Sequence, residues 1–147
     1  MKCECNQPTK IRIVSDYPLQ KSKTGDVGYD IKALNDGQIL AINPGQTIKV
    51  HTSVHLELPD DHEAQVRPRS GLSSKGILVH FGTVDSGYRG EILVSVTNLN
   101  EDIYLIDHGD RIAQIVFAKK DAIFLEETDH IEEATERGTD GFGSTGR

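Results

Sequence analysis

Between residues 48 and 58 polar and apolar positions alternate without a break. Ile48, Val50, Thr52, Val54, Leu56 and Leu58 share one parity, and Lys49, His51, Ser53, His55 and Glu57 share the other. Strand side chains point to opposite faces in turn, so this pattern predicts one half-buried strand over 48–58. Pro44-Gly45 before it and Pro59-Asp60 after it are turn punctuation. Shorter apolar runs predict strands at 10–14, 29–34, 38–42, 64–67, 77–81, 91–97, 103–106, 111–117 and 123–125. No helical period lasts ten residues, and only a turn or two of helix is expected around 71–75. Many short strands broken by Gly, Pro, Asn and Asp predict an all-β sandwich, barrel or jelly roll. On a strand, His51 and His55 lie about 13 Å apart, at roughly 3.3 Å per residue. That is too far to share one metal, so both are expected to face solvent.

Composition narrows the class. With 147 residues, 36% of them hydrophobic, the chain suits one domain with a real core. No run is long and apolar enough for a membrane span or a signal peptide, so an intracellular, cytoplasmic protein is expected. Cys3 and Cys5 are too close and too terminal to staple a fold, and no second pair completes a four-ligand metal site.

The net charge of −7 argues at first against an anionic ligand. Its distribution changes that. Asp121, Glu126, Glu127, Asp129, Glu132, Glu133 and Glu136 fall in a stretch without Lys or Arg, which leaves 16 acids against 16 bases elsewhere. The acidic stretch reads as a solvated tether, and the neutral body carries no nucleic-acid-binding stripe.

Five glycine-punctuated segments hold the candidate chemistry: 24–31, 67–76, 82–92, 109–114 and 138–147. Each alone is a plausible set of turns. Their contents are less turn-like. Arg69-Ser70-Gly71 sets a guanidinium, a hydroxyl and a backbone amide side by side, as a phosphate grip requires. Gln114 sits in an apolar strand on the face of Ile112 and Val116, where a polar group needs a partner. Asp85 is expected in a hairpin, with the aromatic Tyr88 three residues on. The last segment, Gly138-Thr139-Asp140-Gly141-Phe142-Gly143-Ser144-Thr145-Gly146-Arg147, joins amides and hydroxyls for an anion to one flat ring for a base.

In this order the five segments resemble the five motifs of the trimeric deoxyuridine triphosphatase (dUTPase) family, from Thr24 to Gly146. The resemblance implies a jelly-roll or β-clip-like barrel over 1–125. It also implies an acidic tether and a flexible glycine-rich arm over 126–147, and a homotrimer with shared sites. It implies hydrolysis of dUTP to dUMP and pyrophosphate with magnesium, the step that keeps uracil out of DNA, with neither nucleic acid nor membrane as a partner. Asp85 would activate the attacking water. Tyr88 would lie under the deoxyribose and exclude a 2′-hydroxyl. Backbone of Gly82, Thr83 and Val84 would read the uracil edge. Arg69, Ser70, Gly71 and Gln114 would hold phosphates, and Asp30 would contact the magnesium hydration shell. From the arm, Phe142 would stack on uracil, Arg137 would reach the γ-phosphate, and Gly143, Ser144 and Thr145 would wrap the phosphates. An extended tether spans up to about 50 Å, enough to close the arm as a lid on another subunit.

One departure stands out. Many members carry an Asn shortly before the hairpin glycine, where this chain has Val79-His80-Phe81, and His80 is the candidate substitute. Two rivals share the fold. A dCTP deaminase needs a Glu ten residues after the Asp, and Ser95 stands there. A purely regulatory binding protein has no need of all five motifs.

Overall fold

A computed structural model describes residues 7–132 and 135–141. Cys3, Cys5, Phe142, Gly143, Ser144 and Thr145 lie outside them, so the expectations resting on those residues are not addressed by the fold. The described chain is β1 (Arg12–Val14), β2 (Tyr29–Lys32), β3 (Leu40–Ile42), β4 (Thr47–Val50), β5 (His55–Glu57), β6 (His62–Arg67), α1 (Ser70–Ser73), β7 (Ile77–Val79), β8 (Gly82–Val84), β9 (Val94–Asn98), β10 (Tyr104–Ile106) and β11 (Arg111–Lys119). The fold is all-β and jelly-roll-like, as its short, punctuated strands predict, and the one helical turn falls where expected.

The strands form antiparallel sheets ordered β2-β11-β6-β8, β4-β9-β7, β1-β5 and β10-β3. No strand in them pairs with its neighbour in sequence. One core fills the interior, with Ile31, Ile42, Val50, Val54, Ile77, Val96, Ile106, Ile112 and Ile115 almost fully buried. β11 is inserted between β2 and β6, and it buries Ile112, Ala113, Ile115 and Val116 together. A strand covered on both faces reads as a continuous apolar run rather than an alternation.

The strand expected over 48–58 keeps its parity and loses its continuity. Val50, Thr52, Val54, Leu56 and Leu58 are all buried, but β4 ends at Val50 and β5 begins at His55. Ser53 adopts φ 58°, a left-handed conformation that no strand ladder accommodates. The amides of Thr52 and Ser53 turn instead to the Glu91 carboxylate, at 3.0 and 2.8 Å. A second correction concerns 123–125. Ile123, Phe124 and Leu125 join no ladder and are 79%, 89% and 85% exposed, because no strand among the described residues pairs with them. A third concerns Asp85. β8 pairs with β6, while β9 pairs with β4 and β7, so Asp85 sits on a connection between two sheets and not in a hairpin.

Candidate functional site

Gly82, Thr83 and Val84 form β8, the edge of the four-stranded sheet. β6 takes one side of its backbone, with Val66 opposite Gly82 and Ala64 opposite Val84. An edge strand leaves its other row of N–H and C=O groups for a ligand. After β8 the chain turns tightly, with the Tyr88 amide donating to the Asp85 carbonyl at 3.1 Å. The Arg89 guanidinium braces the turn by donating to the carbonyls of Ser86, at 2.6 Å, and Tyr88, at 3.1 Å. The Tyr88 hydroxyl donates to the Glu91 carbonyl at 2.9 Å, and its ring lies so close over Gly90 that a Cβ there would collide with it. Gly82, Thr83, Val84, Asp85 and Tyr88 line one cavity of about 340 Å³, together with Lys49, Glu91 and Ser95. Among the described residues the ion pairs engage Asp30, Glu57, Asp61 and Glu91, not Asp85.

A second cluster gathers where β2, β11 and the end of β6 meet. Register places Gln114 opposite Asp30 on one side and Arg67 on the other. The Asp30 carboxylate, largely buried, takes Arg69 Nε at 3.0 Å and the Ser22 hydroxyl at 2.6 Å, with Arg111 at 3.5 Å. Two guanidiniums on one carboxylate leave a net positive charge. A cavity of about 280 Å³ opens beside them, lined by Arg69, Gly71, Lys75 and Arg111 among others. Gln114 finds its partner in the Pro68 carbonyl at 3.0 Å. Gly28 makes this possible, since a Cβ there would collide with Gln114 Oε1. Ser70 opens α1 and is exposed, next to Arg69.

The family profile for dUTPase matches residues 17–146, which is most of the chain. The chain belongs to the dUTPase family. It is 47% identical over 134 residues to the deoxyuridine 5′-triphosphate nucleotidohydrolase of Neorickettsia sennetsu, covering 89% of this chain and 88% of that one. The protein of the same name from Anaplasma marginale is 46% identical over 142 residues, with 92% and 95% covered. A mutant dUTPase of Staphylococcus bacteriophage 80alpha, solved with dUpNHpp, shares the fold with a TM-score of 0.83. It is 23% identical, and the match covers 94% of this chain and 99% of that chain.

In this dUTPase the expected residues fall into two groups. Asp85, Tyr88 and Gly82–Val84 share one cavity; Arg69 and Gly71 line the other, with Asp30 bound to Arg69 and Gln114 to Pro68 beside it, and no lining residue is common to both. Arg137 joins neither and donates to the Asp140 carbonyl at 2.9 Å. His80 is engaged with β9 rather than with β8. Its Nε2 meets Thr97 Oγ1 at 2.8 Å, and it does not line the Asp85 cavity. Ser95 does line that cavity, where a deaminase needs its Glu.

Sequence reasoning missed Arg111 and Glu91. Arg111 lies inside a segment already singled out, and the shift in register between Arg111 and Ala113 is what brings it to Asp30. Glu91 is an acid between Gly90 and a buried Ile92, which is the signal it offered. Desolvation is the largest influence on it and would raise its pKa. Bonds from His51, Ser53 and Thr52 together outweigh that and hold the carboxyl below its usual value. Magnesium meets a sparse donor set. No group of three His, Cys, Asp or Glu capable of holding a metal occurs among the described residues, and the Asp30 oxygens already accept from Arg69 and Ser22. An ion that arrives on phosphate oxygens and keeps its waters needs few protein donors.

Proposed function

We propose that this chain hydrolyses dUTP to dUMP and pyrophosphate as a homotrimer. The observation that carries the reading is the cavity in which Asp85, Tyr88 and the open edge of β8 converge. Asp85 removes a proton from a water, and the resulting hydroxide attacks the α-phosphorus. The bond from that phosphorus to the bridging oxygen breaks, and pyrophosphate leaves with the electron pair. The β8 backbone reads the uracil edge, and cytosine, with donors and acceptors exchanged, leaves buried groups unpaired. Tyr88 floors the sugar and leaves no room for a 2′-hydroxyl. Arg69, Ser70, Gly71, Arg111 and Gln114 bind the phosphates. Magnesium, when bound, neutralises phosphate charge, and Asp30 holds its hydration shell; a phage phi11 dUTPase structure is described with a structural Mg(II) ion.

The trimer reading rests on two cavities with no lining residue in common, each holding part of the expected site, and on uncovered apolar surface. Val14 is 70% exposed, and Ile123 to Leu125 stand almost free. One subunit supplies Asp85 and Tyr88, another the phosphate cluster, and a third the arm. There Phe142 stacks on uracil, Arg137 meets the γ-phosphate, and Gly143, Ser144 and Thr145 wrap the phosphates. Deamination is disfavoured, because Glu91, the acid nearest in sequence to Ser95 in that cavity, is held by Thr52, Ser53 and His51.

The test is pyrophosphate release from dUTP by wild type and by Asp85→Asn. Wild type should turn over and the variant should lose at least about 100-fold, the usual worth of a positioned general base. A wild type that releases no pyrophosphate refutes the reading. Light scattering should return three chains per particle, and a fully active monomer would contradict the shared site.

A further inference from the structure

Between β4 and β5 the backbone leaves its ladder, and the geometry there is that of an anion cradle. With Ser53 in the left-handed region, the successive amides of Thr52 and Ser53 point at one place. Consecutive N–H groups arranged in this way form a nest for an anion. Here the anion is the chain's own. Glu91 Oε1 accepts both amides, at 3.0 and 2.8 Å, and Glu91 Oε2 accepts a hydrogen bond from His51 Nδ1 at 2.9 Å. The next residue completes the attachment. The Ile92 amide donates to the Val54 carbonyl at 2.8 Å, and the Thr52 hydroxyl donates to the Ile92 carbonyl at 2.6 Å. Residues 91 and 92 are therefore fastened to a segment whose Thr52 and Val54 are wholly buried.

The fastening matters because of what Glu91 carries on its other side. Its main-chain carbonyl is the acceptor for the Tyr88 hydroxyl. The Tyr88 ring is otherwise 47% exposed, at a turn between two sheets. A side chain so placed has several rotamers available unless its far end is held. The absence of a Cβ at Gly90 lets the ring lie against the chain, and the carbonyl of Glu91 then fixes its tilt. Both Glu91 and Tyr88 line the Asp85 cavity.

We propose that Glu91, seated in the Thr52–Ser53 nest and steadied by His51, is a positioning residue that sets the Tyr88 ring as the floor of the sugar site. Its consequence is specificity. A floor held in place rejects a 2′-hydroxyl, whereas a floor free to tilt makes room for one. The proposal rests on the assignment of Tyr88 to the sugar given above.

The experiment measures kcat/KM for dUTP and for UTP with wild type, Glu91→Ala, Glu91→Gln and Tyr88→Phe. Circular dichroism sets the folded fraction. Glu91→Ala should lower the dUTP/UTP preference about tenfold, the factor that about 1.4 kcal/mol of lost positioning produces. Glu91→Gln keeps an oxygen for the two amides and should recover most of the preference. Tyr88→Phe keeps the ring but loses the bond to Glu91. It should lower the preference in the same direction, and combining it with Glu91→Ala should add less than a second full factor. Should Glu91→Ala fail to fold, Tyr88→Phe still decides the matter, since its exposed hydroxyl supports no core. The proposal is overturned if Tyr88→Phe leaves the preference within twofold of wild type. It is also overturned if folded Glu91→Ala does so, or if Glu91→Gln behaves like Glu91→Ala. Wild type that turns over neither nucleotide overturns the hydrolase reading instead.

Discussion

Gly28 and Gly25 share one segment and offer a paired test of how the cluster around Asp30, Arg69 and Gln114 is built. Neither has a left-handed φ, so alanine is sterically admissible for the backbone at both. Their surroundings differ. Around Gly25 an added Cβ meets nothing within 4 Å. At Gly28 it would fall on Gln114 Oε1, with Gln114 Cδ at 2.9 Å and Cβ at 3.0 Å. Turning the terminal amide aside does not relieve the last contact, so the whole Gln114 side chain must move. Gln114 is half-buried, and among the described residues its side chain bonds to the Pro68 carbonyl, immediately before Arg69.

The magnitude follows from that bond. Displacing Gln114 leaves its half-buried donor and the Pro68 carbonyl unpaired, which costs about 1–3 kcal/mol. Alanine's stiffer unfolded chain returns about 0.4–1 kcal/mol. Gly28→Ala should therefore destabilise by about 1–2 kcal/mol, and, on the phosphate role proposed for Gln114, loss of its bond to a charged phosphate, about 1.5–3 kcal/mol, should lower kcat/KM by roughly 10- to 150-fold. Gly25→Ala should lie within about 0.5 kcal/mol of wild type, with turnover unchanged. Urea midpoints and pyrophosphate release measure the two quantities. Gly28→Ala with wild-type stability and turnover would refute the reasoning. Equal losses at both glycines would refute it too, by tracing the effect to the segment rather than to Gln114.

Asn98 is fully buried and makes four side-chain bonds. It donates to the Ile42 and Asp102 carbonyls, both at 2.8 Å, and accepts from the Asn100 amide and side chain at 2.9 and 3.0 Å. At about 1 kcal/mol each, Asn98→Ala should lower stability by about 4 kcal/mol, read as a lower urea midpoint. Asn98→Asp, which cannot donate to the two carbonyls, should not rescue it. The depressed Glu91 pKa gives a pH signature. The folded value lies below the ordinary 4.5, so the carboxylate's contribution is complete above about pH 4.5. It is lost as pH falls from there through the folded value. The urea midpoint of wild type should therefore drop more steeply below pH 4.5 than that of Glu91→Gln, and parallel curves would refute the assignment.

What the sequence made legible was local. Alternation identified the buried positions Val50, Thr52, Val54, Leu56 and Leu58, because burial alone decides which parity is apolar. It did not reveal the break at Ser53, because φ 58° at a serine leaves no mark on the pattern when both flanking residues stay buried. That break exists because a carboxylate 38 residues away fills the nest it creates. The pairing of strands was illegible for a related reason. The ladders here join strands that are not neighbours in sequence, so turn chemistry, which fixes register in hairpins, had nothing to report. Five motifs named the candidate residues, while the divided arrangement in which Asp85 lines one cavity and Arg69 another could be expected only from the family resemblance with its shared sites, not from the residues themselves. Arg111 shows the same limit. Its guanidinium reaches Asp30 across 81 residues through a shift in the register of β11, a property of the sheet and not of the segment that carries it. The function proposed for this chain thus depends on long-range contacts that place locally recognisable groups. The variants that test it most sharply are those, such as Gly28→Ala and Glu91→Ala, that disturb the placement and leave the recognised groups intact.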